Sequence, residues 1–266
     1  MKNLYSEEHL RFLKREKRKS FFVTFSQIAI LVLFLGLWEI LTATGLVDGF
    51  LFSSPSRIVT TAQNLAVEGE LFTHIFTTLY ETLLGFFIAT SVGLIIAVLL
   101  WWSDLAKKIF EPYLVVMNSL PKIALGPLII IWFGAGVTSI IFMTVIITII
   151  VTIINLLTGF CEVDDNKILL LKSMGANKFQ IFNKLIFPAT IPNFISTLKI
   201  NVGMSWIGSI MGEYLVSKQG IGYLIVYGGQ VFKLDLVMTS TVILCILAAV
   251  MYFLVVLIEK LLVKWK

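Results

Sequence analysis

Apolar residues in this chain gather into long runs, and polar residues are concentrated in the segments between them. The runs cover residues 21–44, 75–101, 113–133, 137–157, 191–216 and 236–257. Each matches or exceeds the roughly 20 residues a helix needs to cross the hydrocarbon core of a bilayer. The third is interrupted by Pro121, Gly126 and Pro127, and the fifth by Gly203, Gly208 and Gly212. The fourth is rich in Ile, Val and Thr, a strand-like composition, and carries no charge. It is still predicted as a helix: an open sheet edge finds no hydrogen-bond partners in lipid, and the run is too long for a barrel strand. The pattern therefore predicts an all-α, polytopic transmembrane helical bundle of about six spans. It forms one domain, 21–266, behind a basic segment, 1–20, with no linker or low-complexity tract. No internal repeat is visible, which weighs against the inverted-repeat folds of secondary transporters.

Composition excludes a water-soluble domain. Apolar residues are 58% of the 266, charged residues only 14%, and mean hydropathy is +0.94. Too little polar surface remains to cover a soluble core. The net charge of +5 lies between apolar runs and forms no basic face interleaved with aromatics, so nucleic acid is not an expected partner. The first run follows a basic stretch, Arg11 to Lys19, but is longer than a signal-peptide core and lacks a small-x-small cleavage site. It is read as a retained span. With the N-terminus inside, segments 1–20, 102–112, 159–190 and 258–266 hold about 16 of the 21 basic residues. The external loops hold Arg57, Lys218 and Lys233. The positive-inside rule thus puts both termini in the cytoplasm. Cys161 and Cys245 are read as free thiols without metal-ligand spacing, and His9 and His74 as isolated surface residues.

The longest polar connection, 159–190, has an organisation of its own. Asp164 or Asp165 can cap a helix with Ile168, Leu171 and Met174 among its apolar residues. Gly175 then permits a positive-φ turn, and a second helix from about Lys178 ends before Pro188. Such a knob either covers the bundle end or docks a cytoplasmic partner, with Leu171, Met174, Ala176 and Phe179 filling a groove.

Gly175, nine residues, then Leu185-Ile186-Phe187-Pro188 resembles the loop of binding-protein-dependent ABC importer permeases. That family's pattern is Glu-Ala-Ala, three residues, Gly, nine residues, Ile-x-Leu-Pro. Trp38-Glu39, Ser54-Pro55-Ser56, Leu120-Pro121, Trp132-Phe133-Gly134 and Gly220-Ile221-Gly222-Tyr223 are similar to residues of the sulfonate, taurine and nitrate permeases. The sequence departs where Leu169-Leu170-Leu171 replace Glu-Ala-Ala, where Phe187 precedes Pro188, and at Glu81, a position expected to be basic in that subfamily. The resemblance implies a permease subunit in a bacterial cytoplasmic membrane, importing a sulfonate, a nitrate-like anion or a vitamin precursor. It implies a second permease copy, a cytoplasmic ABC ATPase dimer and an extracellular substrate-binding protein as partners. The coupling residues it implies are Leu171, Lys172, Met174, Gly175, Ala176, Phe179, Leu185 and Pro188.

Within the spans, Ser205, Ser209 and Glu213 are spaced by four and share one helical face. That face either lines a translocation path or packs against a neighbouring helix. No Gly-x4-Gly-Lys-Ser/Thr motif or soluble catalytic constellation occurs, so the chain is expected to be non-catalytic and to need no cofactor or metal. Energy would come from a separate ATPase or, in the alternative reading, from an ion gradient coupled through Glu81 and Glu213.

Overall fold

A computed structural model describes residues 7–262, and every regular element among them is helical. The outermost residues of segments 1–20 and 258–266 lie outside the described residues. Helix α1 (Glu7–Ala43) runs unbroken through the basic stretch and the first apolar run. A short α2 (Gly49–Phe52) leads to α3 (Pro55–Val67), which Ser54 caps through the Arg57 N–H and Pro55 starts. The second run becomes α4 (Glu70–Trp102). The third is broken where its prolines predict. Helix α5 (Asp104–Ser119) stops at Pro121, a 3-10 turn follows, and α6 (Gly126–Phe133) leaves at a bend of 87°.

Helix α7 (Val137–Cys161) confirms the strand-like fourth run as helix. After α8 (Asp165–Ser173) and α9 (Lys178–Ile181), a π turn at Phe182–Ile186 joins α10 (Phe187–Val216). Pro188 therefore does not end a helix as expected. It sits in the first turn of α10, where a missing N–H costs little and the wider π turn absorbs the misfit. Two helices close the chain, α11 (Ile221–Gln230) and α12 (Leu234–Leu262).

Helices α1, α4, α7 and α12 are long and apolar enough to cross a membrane, and the bent α5–α6 pair passes the same test when its two helices are taken together. Helix α10, with 30 residues, is long enough but carries Lys199, Asn201 and Glu213. It packs with α4 and α7 into the core of the subunit, with α12 outside it. Small residues set the approach. A Cβ on Gly208 of α10 would lie 2.5 Å from the Thr144 Cα of α7, and one on Gly85 of α4 would strike the Thr144 side chain. Thr144 is thus the point where three backbones meet, the small-residue packing that lipid-embedded helices favour. By contrast, the apolar stretch of α1 is not buried at all among the described residues.

Candidate functional site

The 159–190 segment folds as its local signals direct. The Asp164 carboxylate accepts from the Asn166 N–H at 2.9 Å and starts α8. Gly175 adopts φ +83°, and the following Ala176 N–H returns to the Leu171 carbonyl at 3.0 Å. Left-handed glycine with this returning bond is a common helix stop. Asn177 and Gln180 then form a capping box that starts α9.

The element is fastened to the bundle. Phe182 packs on Trp101 at 5.1 Å and on Phe160 at 5.6 Å between ring centroids, and Lys178 Nζ donates to the Trp102 carbonyl at 2.7 Å. Leu171 and Ala176 turn inward against the apolar cluster around Phe160, Phe182 and Ile186. Leu185 and Pro188 are half-buried, while Lys172 and Gly175 are exposed. Met174 and Phe179 face outward, 74% and 61% exposed. Beside them stand Leu169 and Leu170, at 64% and 60%, which the reading of the sequence had not singled out as contacts. Their signal was present: a helix resting on a bundle turns only part of its surface inward, so three consecutive leucines cannot all be covered. These four side chains form an exposed apolar group on an otherwise polar connection.

The second set of residues lies deep in the core. Ser205, Ser209 and Glu213 share one face of α10, as their spacing predicts, and that face is buried between α4 and α7. Ser209 and Thr82 hydroxyls are 2.7 Å apart, and those of Ser205 and Thr148 are 3.3 Å apart. Below them Asn201 accepts from Thr152 at 3.1 Å and donates to Thr90 at 3.0 Å. A column of polar contacts thus runs between the three helices.

At the top of the column Glu213 closes a helix other than its own. Its Oε2 accepts from the Gly222 N–H at 2.6 Å and the Tyr223 N–H at 3.3 Å, in the first turn of α11. Thr78 Oγ1 accepts from the Ile221 N–H at 2.7 Å, and His74 Nδ1 from the Gly220 N–H at 2.9 Å. Four amides that a helix start leaves open are satisfied by three side chains of α4 and α10. The glycines make room for this: a Cβ on Gly222 would come 2.8 Å from Glu213 Oε2, and one on Gly220 would collide with the same carboxyl group. His74 is therefore a buried anchor, not the surface residue expected. Its ring matches a partner far along the chain, which no local pattern encodes. Glu81 is also fully buried, beside Glu213, and among the described residues no N–H or alcohol hydroxyl donates to either of its oxygens.

The family described as binding-protein-dependent transport system inner membrane component matches residues 89–266. The chain is 28% identical over 232 residues to the putative aliphatic sulfonates transport permease protein SsuC of Bacillus subtilis, covering 87% of this chain and 84% of that protein. It is 32% identical over 187 residues to the formylaminopyrimidine transport permease protein ThiX of Halalkalibacterium halodurans, covering 70% and 74%. The fold matches a chain of the inward-facing MetNI methionine ABC transporter with TM-score 0.65 at 19% identity, over 74% of this chain and 98% of that one.

Proposed function

The chain belongs to the family of binding-protein-dependent ABC importer permeases, and from that membership we propose that it forms the membrane path of an ATP-driven importer for a small polar solute. The observation that supports it most is the α8–Gly175–α9 knob. Its outer face is apolar and exposed, and its inner face is fastened to the ends of α4 and α7. A cytoplasmic ATPase dimer that seats on Leu169, Leu170, Met174 and Phe179 would push a stiff lever. Lys172 and Gly175 lie on the same exposed element, Leu171 and Ala176 carry the load inward, and Leu185 and Pro188 pass it into α10.

In this reading two copies of the chain flank the path, both termini are cytoplasmic, and an external binding protein delivers the solute. Ser205, Ser209 and Glu213 shape the path from behind by fixing α10 on α4 and α7. The opposite face of α10, with Ile200, Gly203 and Ile207 exposed, is the wall itself. Sulfonates, nitrate-like anions and vitamin precursors are the solutes in view, the relatives being a sulfonate and a formylaminopyrimidine permease. The chain supplies no ATP hydrolysis of its own. The alternative, gradient coupling through Glu81 and Glu213, is not favoured, since Glu213 is engaged in closing α11.

Co-expression with candidate ATPases and affinity pull-down tests the coupling. Gly175→Pro forces φ from +83° to near −65°, and loss of ATPase co-purification is expected while the chain stays monodisperse. Undiminished association in both Gly175→Pro and Met174→Asp would sink the assignment.

A further inference from the structure

The inner side of α8 does more than rest on the bundle. Asp165, Ile168 and Lys172, one helical face, close a cavity of about 520 Å³ against Trp101 and the junction of α4 with α5. Three lysines from three helices line it: Lys107 of α5, Lys172 of α8 and Lys178 of α9. Asp104 and Asp165 line it too, yet no ion pair joins either of them to these lysines among the described residues. Lys107 Nζ donates to Cys161 Sγ at 3.0 Å, and Lys178 Nζ to the Trp102 carbonyl at 2.7 Å while lying 5.5 Å over the Trp101 ring. Each ammonium has three protons, so both keep donors to spare. Three ammonium groups against two carboxylates that form no ion pair with them leave positive charge at the cavity, the chemistry of an anion site.

We propose that this cavity binds an oxyanion, a phosphate or sulfonate group gripped by Lys107, Lys172 and Lys178 between α8 and the bundle. Lysines act as point charges on separate flexible stems, which suits a tetrahedral anion approached from several sides. The group has two possible sources. One is the headgroup of an anionic phospholipid, since Trp101 and Trp102 mark a membrane interface and basic pockets there hold such headgroups. The other is a soluble oxyanion entering from the aqueous side. Either would bridge α5, α8 and α9, and so stiffen the element through which the proposed permease is driven.

The test uses the purified full chain in nanodiscs. In discs of phosphatidylcholine alone, inorganic phosphate and methanesulfonate are titrated while tryptophan fluorescence and the thermal midpoint are followed. In discs that also contain phosphatidylglycerol, native mass spectrometry reads the lipid retained on the released protein. The expected result is a saturable response to an anion, or selective retention of phosphatidylglycerol. It should be weakened at least about tenfold in Lys172→Gln, the loss of one charge-assisted contact, and kept in Lys172→Arg. A response in phosphatidylcholine discs assigns the site to soluble oxyanions, and retention without that response assigns it to lipid. Absence of both, or binding unchanged in Lys107→Gln and Lys172→Gln alike, overturns the proposal. Neither readout involves an ATPase or transport, so failure here leaves the permease reading standing.

Discussion

A carboxyl group inside an apolar bundle needs donors, and Glu213 finds two in the first turn of α11. Glu213→Ala would strand both amides in a buried site, a loss of about 3 kcal/mol at typical costs for unmade buried hydrogen bonds. Thermal unfolding in nanodiscs measures it. Gly222→Ala acts from the other side, since its Cβ would sit 2.8 Å from Glu213 Oε2. It should cost about 1–3 kcal/mol as overpacking, and Glu213→Asp in the same chain should recover part of that by withdrawing the carboxyl group. Independent, additive losses in the double variant would show that the two residues do not oppose each other. Glu81 differs, being buried beside Glu213 with no N–H or alcohol hydroxyl donor and no salt bridge to a cation among the described residues. Glu81→Gln replaces a carboxyl group buried beside a second carboxyl with a neutral amide that can donate toward Glu213, so stability should equal or exceed that of the parent. A drop of more than about 1 kcal/mol would mean that Glu81 holds a partner the fold requires. The sequence marked Glu81 and Glu213 as unusual by their place in apolar runs. It did not reveal that Glu213 and His74 serve one helix start, because their partner amides lie 9 and 146 residues away.

Elements were legible in proportion to their length and apolarity. The runs that became α4, α7 and α12 are long and predominantly apolar, and a spanning helix announces itself that way. The bend between α5 and α6 was written in Pro121, Gly126 and Pro127. Helices α3 and α11 passed unseen, since 13 and 10 residues are too short to carry a spanning signal. The start of α10 was placed late because proline usually stops a helix, and nothing local encodes the π turn that lets the chain run through Pro188. For α8 the cap and the glycine turn were legible in the sequence, but not which leucine faces in. The two faces make a separable prediction. Leu171→Ala, on the inner face, should cost about 1–2 kcal/mol of stability, less than a fully buried leucine would. Leu170→Asp and Met174→Asp, on the outer face, should leave the thermal midpoint within about 0.5 kcal/mol of the parent and abolish ATPase co-purification. Equal effects on both readouts from both faces would make the knob a mere cover for the bundle end.

At the scale of the whole molecule, the chain divides labour among its surfaces. Polar contacts that would be costly in lipid are turned inward between α4, α7 and α10, so the core is held by hydrogen bonds and close backbone approach more than by apolar burial. The exposed apolar area of α1, α5 and α12 needs lipid or a second copy. In the proposed importer the energy comes from a partner ATPase. Reconstitution should therefore separate its role cleanly. Proteoliposomes with this chain, its ATPase and its binding protein should accumulate solute only with ATP, and omission of any one component should abolish uptake. Ile207→Cys, on the exposed face of α10, should be blocked by a small thiol reagent with transport lost, whereas Ser209→Cys, sealed against Thr82, should resist labelling. Substrate protection of the first cysteine would place α10 on the path. Uptake driven by a proton or sodium gradient with this chain alone would instead return Glu81 and Glu213 to the centre of the mechanism, and α11 would then have to release Glu213 in each cycle.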